Sequence, residues 1–190
     1  CKRMTVRVYL ISCCGRPNFG DEFITACWLK FIYTYYPHYE VWLDSPEPGN
    51  AQVLFRKYHP HVKVINTLWK LCWRNQRDPQ QSYQNIFNNI NYFGSPDIDL
   101  NIDVFRSSNI VHILGGGYIN SKWKENYSIL FAASVLREIS DVKIYATGLS
   151  LFPHEDYFDR ARLSNCLSSF SHISVRDDVS AGLFDLETKG

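Results

Sequence analysis

The chain has 190 residues, 45% apolar and 21% charged. That length suits one domain of ordinary globular composition, able to bury a core without staples, and it excludes disorder over the whole chain. The formal net charge of +1 argues against nucleic acid or an anionic membrane held by bulk charge.

The first strand signal spans Thr5 to Cys13, with continuous apolar character from Val8 to Ile11. Such runs suit a strand buried on both faces. Gly15 to Gly20 breaks it, and Asp21-Glu22 places carboxylates in the first turn of a helix, where the dipole favours them. That helix runs to about Tyr36 before Pro37; Ile24, Cys27, Trp28, Phe31, Ile32 and Tyr35 make its apolar face. A second strand follows at Glu40 to Leu43, a turn at Pro46 to Gly49, and a short helix at Ala51 to Tyr58. Val62 to Ile65 reads as a third strand and Leu68 to Trp73 as helical.

Arg74 to Asn101 is rich in Asn, Gln, Asp and Ser and reads as a surface excursion, with a helix option at Tyr83 to Tyr92 and a loop at Gly94-Ser95-Pro96. Ile110 to Leu114 is a buried strand, followed at once by Gly115-Gly116-Gly117. Trp123 to Ile139 is the most periodic helix, its buried side being Ile129, Leu130, Ala133, Leu136 and Ile139. Val142 to Ala146 is a fifth strand with Gly148 at its end. A helix from about Tyr157 to Phe170, a sixth strand at His172 to Val175, and a final helix to about Glu187 complete the chain. Six strand–helix cycles predict an α/β fold: a Rossmann-like, doubly wound, mostly parallel sheet of about six strands.

Six cysteines occur without a C-x-x-C pair or zinc spacing, which reads as a reduced, cytosolic protein. No signal-peptide pattern is visible, and no apolar run approaches the roughly 18 residues of a bilayer span. Asn126-Tyr127-Ser128 matches a glycosylation sequon by letter only. His112 reads as a core histidine; His59, His61 and His154 read as surface residues without metal spacing. The Tyr and Trp stripes of the helices read as core or groove material.

Ligands of open α/β sheets bind beyond the carboxyl ends of the strands. Three strands here end in unusual residues: Asn18-Phe19-Gly20-Asp21-Glu22 after the first, Gly115-Gly116-Gly117 after the fourth, and Arg176-Asp177 after the sixth. The glycines permit positive φ and close approach of a ligand, or make a tight turn with nothing bound. Asn18 and Asp21 either cap the helix or orient a sugar hydroxyl. Arg176 either offers a planar fork to phosphate or carboxylate, or pairs with Asp177 or Asp178. The glycine spacing is not G-x-G-x-x-G, and Asp44 is the only acidic residue placed to read a ribose, so a dinucleotide site is weakly supported. A P-loop and a G-x-S-x-G elbow are absent.

Taken together, Asn18-Phe19-Gly20-Asp21-Glu22, Leu114-Gly115-Gly116-Gly117 and Ile173-Ser174-Val175-Arg176-Asp177 with Ser180 resemble the polysaccharide pyruvyl transferase family. The resemblance spans about Val6 to Phe184 and leaves Arg74 to Asn101 unmatched. It implies one half of a two-domain, glycosyltransferase-like (GT-B-like) architecture. It also implies transfer of pyruvyl from phosphoenolpyruvate to a sugar of a polysaccharide or its lipid-linked precursor, forming a ketal, with no cofactor and no metal.

By the same resemblance Asp21 and Arg176 are candidate catalytic residues. Asn18, Gly20, Gly115, Gly116, Gly117, Arg176 and Asp177 are candidate substrate contacts. A second domain, to which a catalytic His and further Arg are attributed, is expected beyond the segment given. Arg16-Pro17 replaces the small residues more usual in the first loop. The expected partners are a glycan acceptor and phosphoenolpyruvate, with no nucleic acid. The expected location is the cytoplasm; association with the inner membrane face and self-association stay open. The rival readings are a nucleotide-sugar-using domain of the same architecture and a non-catalytic glycan- or partner-binding domain.

Overall fold

The computed structural model describes residues 5–74, 79–92, 96–155 and 160–184. The strands are β1 (Arg7–Ile11), β2 (Glu40–Asp44), β3 (Lys63–Ile65), β4 (Ile110–Ile113), β5 (Lys143–Leu149) and β6 (His172–Val175). The helices are α1 (Phe19–Tyr35), α2 (Pro48–Phe55), α3 (Leu68–Arg74), α4 (Pro79–Asn91), α5 (Pro96–Arg106), α6 (Tyr127–Ile139), α7 (Arg160–Ser168) and α8 (Asp178–Phe184), with a 3-10 turn at Lys124–Asn126. The predicted loop residues Gly94-Ser95, the helix start at Tyr157 and the chain end to Glu187 lie outside the described residues.

The sheet order is β3-β2-β1-β4-β5-β6, and every pairing is parallel. This is the Rossmann-like, doubly wound fold that the strand–helix cycles predict. Chain progress reverses between β1 and β4, which is where an open sheet parts to form a crevice. Because successive crossovers share one hand, reversing direction sends the helices to opposite faces. α1 and α2 pack on one face, through Ala26, Leu29, Ile32, Ala51 and Phe55 against Val8, Leu10, Val41 and Leu43. α3 to α7 contribute to the core of the other face, over Tyr9, Ile11, Val111, Ile113, Ile144 and Ala146.

α6 is the central helix of that second layer, buried continuously from Tyr127 to Leu136. Its outer side is covered by α4, whose Ile86 and Ile90 are fully buried. The polar stretch from Arg74 is therefore no surface excursion. It supplies α4 and α5, the latter burying Ile102 and Phe105. The few apolar residues sit at i, i+4 and i+3 spacing, and Asn and Gln fill the solvent side.

α1 turns a different face inward from the one its aromatics suggest. Asp21, Thr25, Ala26, Leu29 and Ile32 are buried, whereas Phe31 and Tyr35 stay exposed at 43% and 66%. Small residues win because the helix lies close over β1: the Thr25 and Ser12 hydroxyls meet at 2.7 Å. Trp28, Phe31 and Tyr36 instead border an open groove of 430 Å³ that reaches Tyr145 and His172 on the sheet. His59 is also corrected: it is buried beneath the Tyr33 ring at 5.3 Å. His112 is a core histidine as expected, paired to the Thr147 hydroxyl at 2.9 Å. Burial, with His172 adding to it, lowers its pKa to about 4. Cys13, Cys14, Cys27, Cys72 and Cys166 are free thiols. No described helix is long and apolar enough to cross a membrane.

Asp44 is fully buried at the end of β2. Its carboxylate accepts the Tyr9 hydroxyl at 2.6 Å and the Thr67 and Leu68 N–H groups at 3.0 and 2.7 Å. It thereby ties β2 to β1 and to the start of α3. Burial raises its pKa to about 6, and these donors pull the other way. Asp44→Ala leaves three buried donors without an acceptor and should cost about 3 kcal/mol or more in a urea unfolding curve. A variant within about 0.5 kcal/mol of wild type would overturn that role.

Candidate functional site

All six strands point the same way, so their carboxyl ends share one edge. A cavity of 470 Å³ opens there, between the loops that leave β1 and β4. Cys13, Arg16, Asn18, Gly20 and Asp21 come from the β1–α1 side, and Gly117 and Tyr118 from the β4 loop. Arg176 arrives from the end of β6, two strands away.

Stitching of the strand ends brings Arg176 that far. Gly116 bridges Leu149, the Ser150 N–H donates to the Gly116 carbonyl at 3.0 Å, and the Arg176 N–H donates to the Leu149 carbonyl at 3.0 Å. β5 bends at this point, with an irregular register between Ala146 and Leu149 and Gly148 at φ 66°, a conformation that glycine adopts without strain.

The three consecutive glycines serve packing, each differently. The positive φ values belong to Gly15 and Gly148, not to this run, so the glycines are not needed for a left-handed turn. A Cβ on Gly115 would lie 2.7 Å from the Thr147 carbonyl oxygen and 2.8 Å from that of Gly148. One on Gly116 would strike the Tyr118 ring at 2.5 Å and come 2.9 Å from Asp21 Oδ1. One on Gly117 would sit 3.0 Å from Arg176 Nη2. The run therefore seats β5, the Asp21 carboxylate and the Arg176 guanidinium side by side. It does not open a helix directly, because α6 begins only at Tyr127.

Asp21 is largely buried in the first turn of α1. Its Oδ2 accepts from Asn18 Nδ2 at 2.8 Å. Asn18 occupies the N-cap position, yet its side chain makes no capping bond; it is spent on holding Asp21. Burial raises the Asp21 pKa to about 6, Glu22 adds to the rise, and Arg176 opposes it. Arg176 is exposed, and no ion pair within 4.0 Å joins it to Asp21, Asp177 or Asp178 among the described residues. Asp177 has another partner: its Oδ1 accepts the Ser180 N–H at 2.8 Å in the first turn of α8. It caps that helix and does not line the cavity. Gly20 lines the cavity; Gly115 and Gly116 lie behind its wall.

The remaining wall is aromatic and was not picked out as a site in the sequence. Trp69 and Trp73 of α3, Tyr118, and Trp123 with Glu125 and Asn126 all line it. Trp69 is committed to the fold, its indole N–H donating to the Asp44 carbonyl at 3.3 Å. Arg16 lies over the Trp73 ring at 5.3 Å and 3.5 Å from Glu47. Cys13 is inert by comparison, because burial and then Asp21 push its thiol up to about 11. Asp44, the only candidate for reading a ribose, is sealed beneath this floor with its acceptors occupied. Among the described residues no three metal-ligating side chains come together.

A family model described as polysaccharide pyruvyl transferase matches residues 18–189. The chain belongs to the polysaccharide pyruvyl transferase family. The match covers Asn18, Asp21, the glycine run and Arg176, residues that line the cavity or stand directly behind its wall. The family's general activity is pyruvyl transfer, a transferase reaction. No curated protein and no solved structure matches the chain.

The glycine contacts separate fold from function. Gly115→Ala drives a Cβ into backbone and should cost about 1–3 kcal/mol of stability in thermal melts. Gly117→Ala meets only the flexible end of Arg176, so it should melt near wild type while weakening anion binding severalfold by calorimetry. Equal losses of stability in both variants would contradict this assignment.

Proposed function

We propose that this chain forms the amino-domain wall of an enzyme that moves pyruvyl from phosphoenolpyruvate onto two hydroxyls of a sugar. The acceptor is a polysaccharide or its lipid-linked precursor, and the product is a cyclic ketal. The reading rests on the Arg176 guanidinium, which has no ion-pair partner among the described residues and shares one cavity with Asp21. A planar fork with no carboxylate partner is suited to a phosphate or carboxylate. No cofactor or metal enters the scheme. A second domain beyond Arg176 would supply the facing wall and the remaining donor contacts.

The chemistry balances without an outside reductant or oxidant. A proton adds to the methylene carbon of phosphoenolpyruvate and leaves an oxocarbenium-like centre at the neighbouring carbon. One sugar hydroxyl oxygen bonds to that carbon as its own proton leaves. The bond to the phosphate oxygen breaks, and phosphate departs. The second hydroxyl closes the ketal, and its proton ends on phosphate or in solvent. Arg176 stabilises the departing charge. The scheme assigns Asp21 the transfer of a hydroxyl proton, which is supported by a carboxyl titrating near 6 being able to hold or release it close to neutrality. Asn18 fixes which oxygen of Asp21 is free, by donating to Oδ2. Gly20 and the Asn18 loop shape the acceptor side, Gly117 seats the Arg176 guanidinium, and Asp177 acts indirectly by capping the start of α8. A phosphoenolpyruvate donor favours a cytoplasmic location, at the inner membrane face when the acceptor is lipid-linked.

Two measurements on the full-length protein test the scheme. Arg176→Ala should lower phosphate release from phosphoenolpyruvate plus glycan by roughly 10²–10³-fold and leave unfolding free energy within about 0.5 kcal/mol. A large loss of stability would make Arg176 a structural residue instead. Tighter binding of nucleotide sugars than of phosphoenolpyruvate in the same titrations would favour the glycosyltransferase reading.

The second measurement is pH dependence. With Asp21 acting as base, turnover rises as pH passes through about 6, and Asp21→Asn removes that limb and at least about 10²-fold of rate. The stability sign is the reverse of the usual carboxylate. The folded state raises the Asp21 pKa from 3.8 to about 6 and so binds its proton more tightly than the unfolded chain. Stability from this group is therefore present below 3.8 and lost as pH rises to about 6. Asp21→Asn should melt higher than wild type at pH 7.5 while turning over far more slowly.

A further inference from the structure

We infer that Trp123 is the platform on which the acceptor's sugar ring stacks, and that the loop from Gly117 to Asn126 is built to hold Trp123 and Glu125 at the cavity as a carbohydrate subsite. This rests on the reading that the cavity takes a sugar beside phosphoenolpyruvate.

Trp123 lines the cavity yet is 47% exposed. Exposing an indole forfeits a large burial gain, and among the described residues no hydrogen bond or ring contact holds this one. The backbone does the structural work. The Trp123 N–H donates to the Asn120 carbonyl, and the Asn126 N–H donates to the Trp123 carbonyl at 3.0 Å. Asn120 is itself buried. Its Nδ2 donates to the Gly117 carbonyl at 2.8 Å and its Oδ1 accepts the Lys122 N–H at 2.9 Å. Asn126 closes the loop by donating Nδ2 to the Tyr118 carbonyl at 2.7 Å. The loop is thus cross-linked within itself through its backbone and two asparagines, and it carries the indole at the cavity.

Glu125 stands two residues on, lining the same cavity. No ion pair or side-chain hydrogen bond engages its carboxylate among the described residues. A flat aromatic ring and a carboxylate unengaged among the described residues, lining one cavity, are together complementary to a pyranose, whose C–H face is apolar and whose edge carries hydroxyl donors. A phosphoenolpyruvate anion would be repelled by Glu125 and drawn to Arg176. The cavity is therefore divided, with the donor toward Arg176 and the sugar ring toward Trp123 and Glu125. Asp21 sits on the Arg176 side, against Gly116.

The test compares wild type, Trp123→Ala, Trp123→Phe and Glu125→Gln in the full-length protein. Saturation-transfer NMR with methyl glucoside, galactoside and mannoside reports sugar contact, and calorimetry with phosphoenolpyruvate reports the donor. Trp123→Ala should weaken sugar binding and raise the acceptor KM by about tenfold, with the phosphoenolpyruvate affinity unchanged and Trp123→Phe restoring most of the loss. Glu125→Gln should raise the acceptor KM severalfold with kcat within about twofold. Trp123 contributes little to the core, so its removal should leave the melting curve in place. Acceptor KM values unchanged in both variants overturn the inference and leave the pyruvyl-transfer reading standing. Sugar binding that is lost in Trp123→Ala, in a wild-type protein that never consumes phosphoenolpyruvate, overturns that reading and leaves the subsite standing. Absence of sugar contact in wild type overturns both.

Discussion

The site depends on three consecutive glycines: two have no room for a side chain, and the third has room only if the Arg176 guanidinium gives way. Gly115, Gly116 and Gly117 follow β4, the strand at which the sheet reverses its order. Each faces a different neighbour at less than ordinary van der Waals distance for a Cβ: the backbone of β5, the Tyr118 ring with the Asp21 carboxylate, and the Arg176 guanidinium. The strand-end crevice of a doubly wound sheet is normally bounded by the two loops at the reversal point. Here the glycine run lets a third loop, from β6, reach it. The backbone bonds Ser150 to Gly116 and Arg176 to Leu149 then fix that approach.

The electrostatics follow from the same closeness. Asp21 is buried enough to be raised to about 6, and Arg176 is near enough to oppose the rise, yet no direct ion pair forms. A direct pair would have satisfied both groups and left neither free for a ligand. Asp44 shows the alternative. It is a buried carboxylate of similar pKa, but three donors consume its oxygens and it serves only to lock β1, β2 and α3 together. Burial alone therefore does not single out a candidate carboxylate in this chain; Asp21 differs from Asp44 in lining the cavity. A net charge of +1 agrees with the proposed anion site, made from one local cation rather than from a basic surface.

The parallel sheet was legible in the sequence because its strands are short, nearly continuous apolar runs separated by glycines and helix starts. Asn18, Asp21, Gly117 and Arg176 were legible as candidates because they stand directly after strands. What each glycine does was not legible, since a glycine needed for positive φ and one needed for close packing look identical in sequence. α1 misled for a related reason. Its bulky aromatics carry the periodic signal, but close packing on β1 admits Thr25 and Ala26, and the aromatics are pushed toward a groove. The stretch from Arg74 misled by composition: four buried apolar residues, Ile86, Ile90, Ile102 and Phe105, anchor α4 and α5 despite their polar surroundings. Trp123 and Glu125 were invisible as site residues because their cavity joins loops far apart in the chain.

The loop after β4 carries both halves of the proposed chemistry. Its glycines Gly115 to Gly117 pack against Asp21 and Arg176, and its last four residues present Trp123 and Glu125. Asn120 and Asn126, both buried, brace the interval by bonding to the Gly117 and Tyr118 carbonyls. Donor-side and acceptor-side contacts are therefore linked through one braced segment of about ten residues. Two reactants that must meet at bonding distance gain most when their holders cannot drift apart. Mounting both on one cross-linked loop, seated against the central strand of the sheet, meets that requirement even though the reacting groups come from β1, β4 and β6.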